Sequence, residues 1–285
     1  MSTAPAIGAA QGADGTSQPT GFGALIAALT PLDRADGSTA GLTTELPENW
    51  TQGRTAYGGL SAALCVEAAR RMAADLPPLR SGQFAFAGPA AGRLDIRPEL
   101  VRRGRSAATM AVALDGDQGP AVRALLTYGA ARDSRVGHDS LAAPDVAGPD
   151  DCPAFFPSGG GPRFAANMEM RLAAGNRPLA GGDPAFWLWV RHRAPDGADP
   201  LTALVALADS PPPAAMVGFP APAPISTMTW TLDLLGDPGD DPGVWRLLHS
   251  VSEQAGHGYS AQAMTLWDAD RRPLAVARQM VALFT

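Results

Sequence analysis

Hydrophobic positions along this chain follow two periods in turn. From Tyr57 to Ala74 they recur at fourfold spacing (Leu60, Leu64, Ala68, Met72), with Glu67, Arg70 and Arg71 among the polar positions, and this predicts an amphipathic helix. Beyond it the period falls to two. Leu94 and Ile96 alternate with Arg93, Asp95 and Arg97, and Met110, Val112 and Leu114 share a face. Later in the chain Met228, Trp230, Leu232 and Leu234 read as one face of a strand, and Leu274, Val276, Met280 and Phe284 as one face of the last strand. Such alternation predicts half-buried antiparallel strands. A second helix is predicted over Asp199 to Ser210, in "DPLTALVALADS".

The whole pattern occurs twice. Gly104, Ser106, Met110 and Val122 stand 154 residues before Gly258, Ser260, Met264 and Val276. Each half reads as an early strand, one helix, and a meander of about four antiparallel strands. One helix against a long curved sheet is the hotdog plan, so the expected fold class is α+β, a double hotdog in which each long antiparallel sheet wraps one central helix. The expected divisions are a disordered tail over 1–20, an N-terminal hotdog over 21–132, a Pro/Gly/Asp-rich linker over 133–162 and a C-terminal hotdog over 163–285.

Charge and composition narrow the function. The net charge is −6, the basic residues are all arginine, and the pI near 5.2 argues against a nucleic-acid partner. Cys65 and Cys152 suit neither a disulfide framework nor a zinc site, and His138, His192, His249 and His257 lack metal-ligand spacing, so neither metal nor organic cofactor is expected. With no apolar run of membrane-spanning length and no secretory leader pattern, the expectation is a cytoplasmic protein without a membrane partner. Rival motifs fail on context. "GHGYSA" mimics a nucleotide fingerprint but runs into an alternating strand, and "GLSAA" lacks the parallel sheet of a nucleophile elbow.

Three groups of residues stand out. Gly58 and Gly59 sit where the first helix begins, and bare backbone at the positive end of a helix suits an anionic or strongly polarised ligand oxygen; a loop needing flexibility would also use them. Gln279 places an amide on a strand face otherwise made of Ala275, Ala277, Val281 and Leu283, and a buried amide must find partners. Its counterpart in the first half is Leu125, which predicts one site per chain. Arg102, Arg103 and Arg105 form the corner "RRGRS", either a solvated hairpin or a phosphate contact.

In "NWTQGRTAYGG", "LVRRGRS", "FWLWVRHR", "PAPISTMTW", "GHGYSAQAMTLWDAD" and "AVARQMVALF" the chain resembles the double-hotdog acyl-CoA thioesterases of the thioesterase II type, across residues 21 to 285. The resemblance implies hydrolysis of a fatty or related acyl-CoA to free acid and CoA by direct attack of water. Members use an Asp, a Thr and a Gln to orient that water. The Gln falls on Gln279, the Asp on Ser226 with Thr227 beside it, and the Thr near Glu253 and Gln254, so the triad reads as incomplete. The resemblance further implies that Gly58 and Gly59 hold the thioester oxyanion with Tyr57 flanking them, that the Arg102–Arg105 corner meets CoA phosphates, and that Asp209 on the second helix is a candidate base, with Glu67 its weaker analogue on the first. Paired chains are the default assembly. The alternative is a hotdog protein that binds acyl-CoA or an acyl carrier with little or no hydrolysis.

Overall fold

The computed structural model describes residues 19–33, 37–157 and 160–285. The expected tail falls outside these residues as far as position 18, while Thr20 is fixed by Asn49 and Trp50, which both donate to its carbonyl. A short helix α1 (Phe22–Ala27) leads into strands β1 (Thr30–Asp33) and β2 (Thr39–Glu45), a small hairpin β3–β4 (Thr51–Gln52, Thr55–Ala56) and helix α2 (Gly58–Met72). Strands β5 (Leu79–Phe86), β6 (Arg93–Arg103), β7 (Ala107–Gly116) and β8 (Gly119–Gly129) complete the first half. The second half comprises β9 (Met168–Gly175), β10 (Ala185–His192), helix α3 (Pro200–Ala208), β11 (Ile225–Leu234), β12 (Arg246–Gly256), β13 (Tyr259–Trp267) and β14 (Pro273–Leu283).

Apart from the β3–β4 hairpin these strands form one twelve-stranded sheet in the order β1-β2-β6-β7-β8-β5-β11-β14-β13-β12-β10-β9. The order reads inward from both ends through equivalent strands, so the sequence repeat is a structural one, and the fold is a double hotdog. The halves meet at β5 and β11, where Phe84 pairs with Trp230 and their rings stack at 5.4 Å.

The two helices lie antiparallel under this sheet. The start of α2 meets the end of α3, where Tyr57 donates its hydroxyl to the Ala206 carbonyl at 3.1 Å. Further along, Thr202 near the start of α3 donates to Glu67 of α2 at 3.0 Å. Most of both helices is buried, α2 from Gly59 to Ala69 and α3 from Thr202 to Ala208, which explains their small side chains: two helices beneath a curved sheet leave little room. Helix α3 begins at Asp199, whose carboxylate accepts from the Thr202 N–H, with Pro200 in the first turn. It ends one residue before Asp209, ahead of the prolines at 211–213 that cannot continue it.

Three readings need correction. Met228 does not share a face with Trp230, because β11 bulges between Thr227 and Thr229; Met228 is pushed outward and Thr227 turns in. Leu125 is not the spatial counterpart of Gln279. It is 39 % exposed whereas Gln279 is 5 % exposed, because the repeat slips register in the last strand and a one-residue slip reverses the face. Glu67 is fully buried instead of lying on a polar face, held by Arg70 and Arg71 as well as Thr202. The segment between the halves also packs closely. Trp267 and Trp189 donate to the carbonyls of Leu141 and Ala147, laying this stretch over a cluster of Trp189, Leu247 and Trp267.

Candidate active site

Asp209, Thr227 and Gln279 come from three different elements and meet at the start of α2. The Gln279 amide nitrogen donates to Asp209 Oδ1 at 2.7 Å and to Thr227 Oγ1 at 3.0 Å. The bulge in β11 makes this meeting geometrically feasible, since it brings Thr227 onto the inner face that Gln279 occupies on β14. Because Thr227 Oγ1 accepts from Gln279, its own proton is left to donate elsewhere.

The other carboxylate oxygen of Asp209 faces Gly58. A Cβ on Gly58 would stand 2.5 Å from Oδ2, and 3.1 Å from the Phe86 ring. Glycine at 58 is therefore a steric requirement for bringing the carboxylate to the helix N-terminus. Gly59 has a different reason: its Cβ would meet the Ala206 carbonyl at 2.7 Å and the Tyr57 ring at 2.6 Å, so it permits the helix crossing.

Asp209 is buried with no cationic partner among the described residues. Burial pushes its carboxyl up to about 7, against the lowering effect of the Gln279 and Gly59 N–H donors. Glu67, at the opposite end of the helix pair, shows the converse. Burial also pushes it upward, but the hydrogen bonds of Arg70, Arg71 and Thr202 and the charge of Arg70 outweigh that and hold its carboxyl below the usual range. Among the described residues two carboxylates are thus buried, Glu67 neutralised by arginines and Asp209 poised to exchange a proton near neutrality.

A cleft of about 140 Å³ opens beside this group. Gly58, Ser61, Phe86 and Val122 of the first half line it together with Ile225, Ser226 and Thr227 of the second, so it spans the seam between halves. Gln52 and Thr55 of the β3–β4 hairpin form its lip. Among the described residues no three His, Cys, Asp or Glu side chains cluster as a metal site would, and no helix is long and apolar enough to cross a membrane.

Of the residues singled out in the sequence, Gln279, Asp209, Thr227, Gly58 and Gly59 are brought together, and Ser226 stands at the cleft beside them. Neither Ser226 nor Glu253 or Gln254 makes a hydrogen bond to Gln279. The carboxylate that reaches Gln279 is Asp209 and the hydroxyl is Thr227, while Glu253 is paired with Arg278 on the outer side. Tyr57 does not shape the cleft; its ring stacks on Phe164 at 4.0 Å and its hydroxyl serves Ala206. Arg102, Arg103 and Arg105 do not join the site either. Arg103 pairs with Asp75 beyond the far end of α2, a helix of 15 residues and about 22 Å. Two contributors were missed. Gln262 shares the buried face of Met264 and Leu266, the same signal of a polar residue on an apolar alternation that marks Gln279. Phe86 carries no sequence signal beyond its hydrophobicity.

These features define a hotdog protein with one acid–amide–hydroxyl centre at its seam. The chain belongs to the acyl-CoA thioesterase family: that family's N-terminal domain matches residues 46–129 and its C-terminal domain residues 149–283. Over 201 residues, 59% of this chain and 69% of the relative, it is 30% identical to an uncharacterized protein of Mycobacterium tuberculosis. The solved structure of a hot dog fold protein of unknown function from Alicyclobacillus acidocaldarius is similar with a TM-score of 0.78 and 26% identity, over 92% of this chain and 97% of that one. The fold is shared too with an acyl-CoA thioesterase II from Mycobacterium marinum, at a TM-score of 0.70 and 18% identity, covering 91% and 96%.

Proposed function

We propose that the protein hydrolyses acyl-CoA thioesters to a free acid and CoA by direct attack of water, with Asp209 as general base. The observation that carries this reading is the convergence of Asp209, Thr227 and Gln279 on the N-terminus of α2, beside a cleft built by both halves. Water is activated when its proton passes to Asp209 as its oxygen attacks the carbonyl carbon. Gln279 holds Oδ1 and leaves Oδ2, on the Gly58 side, to take that proton. A base titrating at about 7 suits this step, being ionised in useful amount at neutral pH yet strong enough to accept the proton.

The Gly59 N–H serves Asp209, which leaves the Gly58 N–H for the carbonyl oxygen as negative charge develops there. Thr227 O–H points its free donor capacity at the cleft and orients the water or the carbonyl. The tetrahedral intermediate then collapses with cleavage of the C–S bond. The thiolate leaves and takes up a proton, which returns Asp209 to its ionised form when Asp209 supplies it. No metal or redox group enters this balance. Thiol release measured across an acyl-CoA series tests the reading: release that depends on Asp209 supports it, and tight acyl-CoA binding without release establishes the binding-protein alternative.

A further inference from the structure

Behind Gln279 lies a second amide. Gln262 on β13 stands directly opposite Gln279 in the strand register and is 1 % exposed. Its Nε2 donates to Gln279 Oε1 at 2.8 Å, and its Oε1 accepts the backbone N–H of Ala214 at 2.8 Å. Ala214 opens the short 3₁₀ turn Ala214–Gly218 that follows the prolines after Asp209.

The donor and acceptor inventory of this row leaves one consistent arrangement. A backbone N–H can only donate, so Gln262 must show it oxygen. The NH₂ of Gln262 then faces Gln279, which must show oxygen in turn. That leaves the Gln279 NH₂ facing Asp209 and Thr227. An amide turns readily about its terminal torsion, and nothing in the Gln279 side chain by itself selects one orientation. We propose that Gln262 is a positioning residue, which transmits the polarity of the Ala214 N–H to Gln279 and so keeps a donor, never a carbonyl, aimed at Asp209. This inference rests on the reading of Asp209 as the base.

The consequence is a pH effect. With Gln279 reversed, its oxygen would face a carboxylate oxygen, an arrangement tolerated when Asp209 is protonated and able to donate. Loss of the relay therefore favours the protonated acid. The groups facing Asp209 are Gln279 from β14 and Gly58, Gly59 and the Tyr57 phenol at the start of α2, with Thr227 of β11 sharing the Gln279 amide. Among the described residues no arginine or histidine pairs with Asp209, so no other charge sets its titration.

The test compares pH–rate profiles of the full chain and of Gln262→Met, which keeps side-chain length and removes both hydrogen bonds. The wild type is expected to show an acidic limb with its midpoint near 7. In the variant that midpoint should rise by about one pH unit, a tenfold change in the proton equilibrium. Its kcat should fall at least about tenfold, with KM changed less than about twofold, because the relay acts on the chemical step. An unmoved limb with wild-type kcat overturns the proposal. A wild-type chain that releases no thiol refutes the hydrolase reading, a separate failure. Should the Met variant not fold, or should no thiol be released, the wild-type side-chain ¹⁵NH₂ signals of Gln279 decide the relay. They should titrate with Asp209, and signals unresponsive to its ionisation would show that the amide points the other way.

Discussion

The carboxylate of Asp209 and the bare α-carbon of Gly58 are packed so closely that a Cβ on residue 58 would stand 2.5 Å from Asp209 Oδ2. Substituting Gly58→Ala must therefore displace the base, the Phe86 ring, or the helix start. A displacement of about 1 Å is enough to lower kcat/KM roughly a hundredfold. Gly59→Ala should act mainly on stability, because its hardest conflicts are with the Tyr57 ring and the Ala206 carbonyl, with Asp209 Cβ a softer contact at 3.1 Å: about 1–3 kcal/mol of stability is lost, as for other overpacked sites. Steady-state kinetics beside denaturant unfolding separates the two outcomes.

Asp209 also predicts how stability depends on pH. Its carboxyl titrates at about 7 in the folded chain, pushed up by burial, and near 4 when unfolded. Between those values the unfolded chain gives up its proton first, so folding weakens as pH rises, with the full penalty present above about 7. Asp209→Asn carries no such penalty. The variant should gain on the wild type across that window and exceed it by roughly 2–4 kcal/mol above it. Urea unfolding at both ends of the window checks this, and an Asn variant no more stable at alkaline pH would contradict the buried, unpaired carboxylate.

Thr227 and Ser226 are neighbours with opposite expectations. Thr227→Val keeps the shape and removes the hydroxyl that Gln279 holds, so kcat should fall by about 10- to 100-fold while the fold persists. Thr227→Ser should retain most of the rate. Ser226→Ala should change kcat less than about threefold, since the bulge leaves Thr227 as the inward hydroxyl. Equal losses at both positions would mean that the bulge does not set the face.

The architecture is legible in the sequence because period-two alternation and the repeat are properties of consecutive residues. Gln279 is legible for the same reason, being an amide on an apolar face, and Gln262 could have been found by the same rule. Thr227 is harder to assign because a bulge shifts alternation without any mark in composition. Asp209 stands out as a candidate, yet its link to Gln279 spans 70 positions and depends on the helix crossing that Gly59 permits. Matching the family segment by segment puts the acid on Ser226, which lies within β11 beside Thr227 but has no carboxylate.

The arginine corner gives a further check. Arg103 is paired with Asp75 and the corner lies at the far end of α2 from the cleft. Replacing Arg102, Arg103 and Arg105 together by Ser should leave KM within about twofold and its salt dependence unchanged. A large rise in KM that fades at high salt would restore this corner as a CoA contact.

The most direct measurement of hydrolysis by an Asp209 base is free-thiol release from a panel of acyl-CoA substrates, followed against pH for the wild type and Asp209→Asn. The wild type should release thiol with an acidic limb near 7, and Asp209→Asn should show a kcat lowered by about a hundredfold or more with that limb gone. An Asp209→Asn variant that retains near-wild-type kcat and the same limb, or a wild type that binds every acyl-CoA and cleaves none, would contradict it.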